Sequence, residues 1–561
     1  MGAWSRPVRA ETLQAVQAHQ RVCGSQRQAA QAAGVPRSTL RHWNRRQGEG
    51  ELSPEVMAFF DTPAGVDLLQ RLVVAAQLVI TLRGGGGVRL VCQFLELSGL
   101  SSLVGASYGA QQALNVELEA QVAAFGEAER QRLGQEMAPR RISLCEDETY
   151  HPEVCLVGIE PVSNFIVLEQ YAQGRGAAHW DQALEQSLSG LKVTVEQVGS
   201  DQAKGLCQHI QRSLGAHQSP DLFHIHQEIS RATAAPLASR IRQAEQNVEK
   251  ATEGVRAVEA VEAAYTQAPR RRGRAPDFDL RHRQAQYVLA TEELEHEQAK
   301  ADQCEARAVR ETLSAAYHPY DLDTAQCQSP EQVGERLRAC WDRLDQLAKR
   351  CKFSERCQAR LNKARRLTGA LTATIAFYFA MITARVEALN LSPELETVLY
   401  EQLIPALYLE QVAERSTDRQ QRQRLREKAE SLLAPLRRAD GPLAGLDQAE
   451  RHRLEQAALD CAQCFQRSSS CVEGRNSQLA LHHHGRHRLS ERRLAALTTV
   501  HNFLIRRPDG TTAAERFFGQ PSADLFETVC FRVRLPGRPA RKRPPPKKPP
   551  RLYVVETQGV D

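Results

Sequence analysis

The stretch RISLCEDETYHPEVCLVGIE, Arg141–Glu160, places two short apolar runs on either side of a turn, and the first run ends in three acids. Alternating apolar residues around the Tyr-His-Pro-Glu turn predict two antiparallel strands. Along the first strand, alternation puts Asp147 on the opposite face from Glu146 and Glu148. A carboxylate in this position either caps the end of the strand or binds a cation. The positions of the other acids in the chain decide between these alternatives.

Three further strands and two helices are predicted after this hairpin. NFIVLEQY (164–171) is typical of a third strand, AAHWDQALEQSLSG of a helix, and KVTVEQVGS (192–200) of a fourth strand that stops just before Asp201. QAKGLCQHIQRSL then predicts a second helix, and DLFHIH (221–226) a fifth strand. The order β-β-β-α-β-α-β is that of the ribonuclease-H-like layout, an α/β fold with a mixed sheet. In that layout the first strand lies beside the fourth, so Asp147 and Asp201 are expected to converge.

Length and composition indicate a soluble protein of several domains. A chain of 561 residues is too long for one core, and 42% hydrophobic with 25% charged residues is typical of globular proteins. No apolar run reaches the roughly 18 residues that span a bilayer. The N-terminus lacks the apolar segment of a signal peptide. These features favour a cytoplasmic protein without a membrane partner, in which the scattered cysteines are reduced.

The net charge of +6 is distributed unevenly along the chain. Residues 1–50 hold eight Arg and two Glu, and residues 532–551 hold nine Lys or Arg and no acid. The remainder of the chain is therefore acidic overall. Basic ends suit the phosphates of nucleic acid, and an acidic middle can hold cations.

The segment SQRQAAQAAGVPRSTLRHWNRR (25–46) has the residue types of a helix-turn-helix. Alanines form a compact first helix, Gly34 supplies the tight turn, and Pro36 suits the first turn of the next helix. Leu40 and Trp43 are spaced to pack back on the first helix. A plain helical hairpin is the alternative. The residues expected to reach DNA from this module are Arg37, Ser38, Thr39, Arg41, His42, Arg45 and Arg46.

The long segment before the last acidic stretch predicts a helical insertion that contains a coiled-coil hairpin. One apolar seam at alternating spacings of four and three, and a second at a spacing of seven, indicate two paired helices. The tip between them, APRRRGRAPD, carries Arg270, Arg271, Arg272 and Arg274, which either contact DNA or are solvated. The first seam consists of Leu237, Ile241, Ala244, Val248, Ala251, Val255 and Val258, and the second of Leu280, Tyr287, Leu294, Ala301 and Ala308.

Several motifs resemble those of bacterial insertion-sequence transposases of the DDE type. They are CEDETYHPEVCLVGIE, VGSDQAKGL, SPDLFHIHQEIS and SSSCVEGRNSQLALHHH, and the resemblance covers residues from about 140 to 525. It implies a ribonuclease-H-like core in which three acids bind two Mg²⁺ or Mn²⁺ ions. Asp147 matches the first acid, Asp201 the second and Glu473 the third. Glu148 is the alternative for the first position.

The resemblance also implies partners and a place of action. These are double-stranded DNA (transposon ends and target), a homodimer or higher homo-oligomer on that DNA, and the bacterial cytoplasm with the nucleoid. Around Glu473 the chain is rich in arginine, so this acid is either a metal ligand or an ion-pair partner. The residues expected to contact DNA near it are Arg475, Asn476, Arg486 and Arg488.

The chain departs from one subgroup of these transposases, which has Tyr and Arg before the final Glu and Lys or Arg seven residues after it. Gln466, Ser469 and Ala480 stand at those positions. The interval between Asp201 and Glu473 is also far longer than one strand and one helix require. Two other functions stay open, a catalytically inactive DNA-binding regulator and a ribonuclease-H-like nuclease.

The predicted organisation has six parts. They are a helix-turn-helix at 1–50, a helical and possible second DNA-binding domain at 51–138, the first part of the core at 139–230, the helical insertion at 231–460, the last part of the core at 461–525, and a basic proline-rich tail at 526–561.

Overall fold

The computed structural model describes residues 6–23, 25–40, 52–150, 152–269, 273–483 and 488–537. Within these ranges most residues are helical, and one five-stranded mixed sheet is present, so the predicted α/β class is confirmed. Several predicted DNA contacts lie outside the described residues. They are Arg41, His42, Arg45, Arg46, Arg270, Arg271, Arg272, Arg486 and the tail from residue 538.

The described chain alternates between long helical regions and the sheet. The strands are β1 (Arg140–Tyr150), β2 (Val154–Glu160), β3 (Phe165–Ala172), β4 (Val193–Ser200) and β5 (His217–Pro220). The helices before and within the sheet are α1 (Arg6–Cys23), α2 (Gln26–Ala32), α3 (Pro54–Phe59), α4 (Pro63–Gln77), α5 (Val88–Leu97), α6 (Tyr108–Glu136), α7 (Ala177–Leu188) and α8 (Lys204–Gln208). The later helices are α9 (Leu222–Gln267), α10 (Phe278–Ala316), α11 (Pro330–Arg350), α12 (Glu355–Thr368), α13 (Leu371–Glu387), α14 (Pro393–Val398), α15 (Ile404–Arg415), α16 (Arg419–Leu436), α17 (Gln448–Gln463), α18 (Ser470–His483), α19 (Glu491–Phe503), α20 (Ala513–Phe518) and α21 (Leu525–Cys530). Single π-helical segments extend three of them, at Leu78–Arg83, His209–Leu214 and Leu399–Leu403, and a 3-10 turn spans Leu100–Ser102.

Backbone contacts divide the protein into two compact units. The first comprises the chain up to Arg130, Ser490–Ile505 and the residues from Ser522. The second comprises Gln131–Leu489 and Arg506–Pro521. The stretch predicted as the last part of the core, 461–525, is thus divided between the two units.

The N-terminal part of the first unit contains the predicted turn. Gly34 follows α2 with a φ of 64°, a conformation that a residue with a Cβ adopts at a cost, and a further helical turn begins at Arg37. Arg37 and Ser38 are exposed, whereas Thr39 is half-buried. The small core beneath the turn consists of Leu13, Val16, Ala29, Ala30, Val35 and Leu40.

Residues 52–136 are helical, as predicted. The segment VRLVCQFLELSGLSSLVGASYGAQQAL (88–114), whose sequence fits either a second helix-turn-helix or packing helices, forms α5, the 3-10 turn and the start of α6. In the same unit, α19 brings Arg493 against Glu119 of α6, with the guanidinium Nη1 2.7 Å from the carboxylate and both side chains buried. This ion pair places a charge-assisted hydrogen bond inside the first unit.

The sheet of the second unit has the strand order β3-β2-β1-β4-β5. β1 pairs antiparallel with β2 and parallel with β4, β2 pairs antiparallel with β3, and β4 pairs parallel with β5. The predicted order of strands and helices is confirmed, and so is the prediction that the first strand lies beside the fourth. Its register pairs Cys145 of β1 with Gly199 of β4, so Asp147 and Asp201 follow at equal distances along neighbouring strands.

The prediction of a fifth strand at 221–226 is wrong. β5 lies just before this segment, and residues 222 onward form the start of the long helix α9. The Asp221 carboxylate caps that helix by accepting a hydrogen bond from the Phe223 N–H at 2.7 Å. An aspartate directly ahead of an apolar, helix-periodic segment is an N-cap signal, and in this segment it outweighs the β-propensity of the apolar residues.

The helices α9 and α10 form the predicted hairpin, but the predicted seam of α10 is wrong. Leu294 is 73% exposed and Tyr287 75% exposed. The seam of α9 is confirmed in part, since Leu237 and Ala244 are buried. A seven-residue repeat predicts the period of a helix but does not show which face of the helix is buried. The buried face of α10 is a different one, and half of its residues are alanines. That face consists of Ala299, Asp302, Ala306, Val309, Leu313 and Ala316.

A single apolar core underlies the rest of the insertion. It includes one face of α13, which lies in the stretch LTGALTATIAFYFAMITARVEAL (367–389), and the low polarity of this stretch predicts a core helix. Two stretches, Pro63–Arg83 and Glu355–Glu387, are long and apolar enough to cross a membrane by length and composition, with 44% and 39% of their apolar windows buried in the protein. Core helices of soluble proteins share this composition.

Replacing a core leucine of the insertion is expected to destabilise the second unit. Leu344 is fully buried, so Leu344→Ala should lower the free energy of unfolding by about 2–5 kcal/mol. The matched control is Leu294→Ala on the exposed face of α10, which should change it by about 0.5 kcal/mol or less. Urea denaturation followed by circular dichroism measures both. Equal losses in the two variants would contradict the position of the core.

Candidate metal centre

Three side chains from distant parts of the chain meet at one end of the sheet. Asp147 comes from β1, His224 from the first turn of α9 and Glu473 from the first turn of α18. Each offers one ligand atom, and these atoms lie within 4.8 Å of one another. Among the described residues, this group has the spacing and the donor atoms of a metal site.

Asp201 lies at the same end of the sheet. It follows β4 directly, and one of its carboxylate oxygens accepts a hydrogen bond from the Ala203 N–H at 2.8 Å. Its charge acts on Asp147, whose pKa it raises. The structure therefore brings Asp147 and Glu473 into one cluster and places Asp201 within electrostatic reach of it.

The segment that leads into α18 is held by hydrogen bonds to the other elements of the site. The Ser469 hydroxyl donates to the buried carboxylate of Asp221. The Asp221 N–H donates to the Ser200 carbonyl at the end of β4, at 3.1 Å. The Leu222 N–H donates to the Arg467 carbonyl, also at 3.1 Å. These bonds position Glu473, because it follows Ser469 by one helical turn.

Electrostatics at Asp147 favour a bound cation. Burial, together with the smaller effects of the charges of Asp201 and Glu473, raises the pKa of its carboxyl to about 7. The Glu148 N–H, which donates to Asp147 at 2.8 Å, and the His224 imidazole lower this pKa. A divalent cation would stabilise the ionised form of all three acids.

Two arginines of the second unit are paired with glutamates outside the cluster. Arg175 lies 3.5 Å from Glu148, and Arg488 lies 2.9 Å from Glu153.

Hard carboxylate oxygens are the ligands of Mg²⁺ and Mn²⁺, and an imidazole nitrogen is also accepted by Mn²⁺. The donor set of the cluster therefore fits the divalent cations that the sequence predicts.

The alternation predicted along β1 places its three acids in different surroundings. Glu148 accepts a hydrogen bond from Trp180 Nε1 at 3.3 Å, which favours Asp147 over Glu148 as the ligand. Glu146 is fully buried, and one of its oxygens lies 3.8 Å from His209 Nε2. Burial raises the pKa of Glu146. The Glu146 side chain is enclosed on the face of the sheet opposite to Asp147, so a substitution at this position is expected to destabilise the fold.

The prediction that Arg475 contacts DNA stays a prediction, and in the structure this side chain is bound to an acid inside the protein. Its guanidinium forms two hydrogen bonds with the Glu169 carboxylate, at 2.7 and 2.6 Å, and both side chains are buried. Arg488 is different, because its guanidinium is partly exposed and lies 4.9 Å from the centre of the Tyr171 ring. Asn476 is half-buried, and within the described ranges its Oδ1 atom has no hydrogen-bond partner.

His224 is the residue of this centre that the sequence interpretation missed. It lies in the stretch that was predicted as a strand, where alternation gives no reason to select it. As part of α9 it lies one turn after the Asp221 cap, with Nε2 3.7 Å from the Asp221 carboxylate. The N-cap aspartate was the signal that could have located it.

These observations define a mixed α/β protein with a candidate metal centre at the end of its sheet. Residues 399–545 match a family of unknown function (DUF6399), a stretch that includes Glu473 and covers less than half of the chain. No curated protein and no solved structure matches the chain.

Divalent metal is expected to bind more tightly as the pH rises through about 7, because Asp147 must lose its proton before it coordinates. Stability of the metal-free protein changes in the opposite direction. The pKa of Asp147 in the folded protein is above the ordinary aspartate value of 3.8, so stability contributed by the protonated form is lost as the pH rises from about 4 to about 7. Calorimetric titration with Mn²⁺ on both sides of pH 7 measures the affinity. An affinity independent of pH over this range would contradict the buried position of Asp147.

Removing the guanidinium of Arg475 is expected to act on stability. Arg475→Met leaves Glu169 buried without its partner, which should cost about 3–5 kcal/mol. The matched control Arg488→Met removes an exposed pair and should cost about 1 kcal/mol or less. Urea denaturation measures both variants. Unchanged stability with weakened DNA binding in Arg475→Met would instead make Arg475 a DNA contact.

Proposed function

We propose that this protein is a DNA transposase of the DDE type that cuts and rejoins DNA with divalent metal. The observation that carries the proposal is that Asp147 and Glu473, from opposite ends of a long insertion, lie in one cluster with His224. Acidic side chains from segments so far apart in the sequence are not expected to lie together unless something stabilises the cluster. A shared cation is the simplest one, since carboxylates buried together repel each other.

The sheet supports a ribonuclease-H-like core. Three antiparallel strands followed by two parallel ones, in the order β3-β2-β1-β4-β5, put the end of β4 beside Cys145 of β1, two residues before Asp147. That is where the resemblance places the first two acids, Asp147 and Asp201. The third acid comes from α18, after the helical insertion.

The acids of the centre would hold two Mg²⁺ or Mn²⁺ ions, and His224 would complete the donor set. When bound, such ions stabilise the negative charge that develops on a phosphodiester during its displacement. The protein's own part is to orient the ligands. Asp221 fixes the start of α9 and, through Ser469, the approach to Glu473.

We propose that the N-terminal helices bind transposon ends as a helix-turn-helix. Supporting observations are the positive φ of Gly34 and the exposure of Arg37 and Ser38 beyond it. Exposed arginine and serine side chains contact phosphates and base edges. Arg488 is a second exposed cation, on the unit that carries the metal centre. Cutting two ends would require at least a dimer, and the DNA would be that of the bacterial nucleoid.

Substitution of the three acids is expected to abolish strand cleavage while leaving the fold intact. Asp147→Asn, Asp201→Asn and Glu473→Gln each remove one negative ligand and should lower cleavage by about a hundredfold or more, the loss typical of removing electrostatic support for a transition state. The matched control is Glu245→Gln, which removes an exposed acid of α9. The measurement is Mg²⁺-dependent cleavage and strand transfer on DNA that carries the element's ends.

The outcomes separate the proposed function from its alternatives. Cleavage and strand transfer in the wild type, lost in the three variants, support a transposase. Cleavage without any strand transfer would instead favour a nuclease. DNA binding without cleavage would favour an inactive regulator. Undiminished cleavage in all three variants would remove these acids from the mechanism.

A further inference from the structure

A cavity of about 660 Å³ lies in the second unit beside the segment that leads into α18. Its walls include residues of α10, of α15 and of the stretch from Phe465 to Cys471. None of Asp147, His224 or Glu473 lines it, so it is separate from the metal centre. Its volume is within the range of small-molecule sites in proteins, about 300–1,000 Å³.

The cavity carries an excess of positive charge. Arg415, Arg467 and Arg507 lie on its walls, and Glu311 is the acid that lines it. Glu311 is already 2.9 Å from Arg307, a neighbour on its own helix. In the described part of the chain, none of the three lining arginines forms an ion pair. Three unneutralised guanidinium groups around one space are a typical arrangement for an anion.

Two hydrogen-bond donors on the same wall have no hydrogen-bond acceptor among the described residues. They are Gln411 Nε2 and Arg467 Nε, and both atoms are buried. Buried donors are nearly always paired, with protein or with a bound molecule. By contrast, the neighbouring Tyr408 hydroxyl is satisfied, since it lies 2.6 Å from His318 Nδ1. The unpaired donors therefore indicate a ligand that brings acceptor oxygens.

We propose that this cavity binds a phosphate-bearing ligand of nucleotide size. Its phosphate would accept hydrogen bonds from Arg415, Arg467 and the Gln411 amide, because the planar guanidinium matches the geometry of phosphate oxygens. The rest of the ligand would lie against the wall formed by Tyr408 and Phe465. The same chemistry is offered by a free nucleotide and by a nucleotide within a DNA strand.

Ligand in this cavity would contact the segment that positions Glu473. Ser468, Ser470 and Cys471 line the cavity, and Ser469 between them donates its hydroxyl to Asp221. Occupancy therefore stabilises the start of α18 in the conformation that brings Glu473 to the metal centre. This consequence rests on the proposed function, whereas the binding itself does not.

The test is calorimetric titration of the full-length protein without divalent metal. The probes are inorganic phosphate, thymidine 5′-monophosphate and a short single-stranded oligodeoxythymidylate. The wild type is expected to bind one of the nucleotide probes saturably and more tightly than inorganic phosphate. Arg415→Gln and Gln411→Leu should each weaken that binding about tenfold, the typical loss for a hydrogen bond to a charged group.

The matched control is Arg424→Gln, which removes an exposed arginine of α16 outside the cavity and should leave the affinity within about twofold of the wild type. Binding of a probe is assigned to the cavity only if the substitution Arg415→Gln weakens it. Tighter binding of the monophosphate identifies a free nucleotide as the ligand, and tighter binding of the oligonucleotide identifies a DNA strand. Absence of saturable binding by all probes, or unchanged binding in both cavity variants, would overturn the proposal.

The metal-centre variant Asp147→Asn keeps the two proposals distinguishable. Asp147 does not line the cavity, so this variant is expected to bind the nucleotide probe as the wild type does. Loss of nucleotide binding in Asp147→Asn would place the probe at the metal centre and contradict a separate cavity site.

Discussion

The hydrogen bonds of Asp221 are the constraint on which the candidate metal centre depends. This buried side chain caps the helix that carries His224 and accepts a hydrogen bond from the Ser469 hydroxyl, one turn before Glu473. Its own N–H donates to the carbonyl of Ser200 at the end of β4. One residue thus joins the sheet to both helices of the site. The hydrogen bonds of Asp221 therefore fix both ends of the segment between Asp221 and Ser469, which contains the long insertion.

The second constraint is electrostatic. The parallel pairing of β1 with β4 places Asp147 and Asp201 side by side, and burial then raises the pKa of Asp147 to about 7. If these acids bound no cation, an arginine would be expected to pair with them and offset the repulsion between their charges. Instead, Arg175 and Arg475 are paired with other glutamates of the same unit. A bound divalent cation would offset the negative charges of Asp147, Asp201 and Glu473.

Much of this arrangement could be predicted from the sequence, because it depends on local patterns. The alternation of side chains along β1 was sufficient to distinguish Asp147 from Glu146 and Glu148. The residue types around Gly34 were sufficient to predict a tight turn at this glycine. His224 was missed because a short apolar segment has the same composition in a strand and in a helix, and only the N-cap distinguishes them. The exposure of Leu294 and the ion pair of Arg475 with Glu169 could not be predicted, for another reason. Which face a helix buries, and which acid an arginine meets, are decided by tertiary partners that a single sequence does not show.

The central claim is that Asp147, Asp201 and Glu473 hold divalent cations together. The most direct measurement is anomalous diffraction from crystals of the protein grown with Mn²⁺. The account predicts anomalous peaks between these three acids, with at least one ion bound by both Asp147 and Glu473, and their loss in crystals of Asp147→Asn. Well-ordered crystals with Mn²⁺ bound elsewhere and none at this cluster would contradict it.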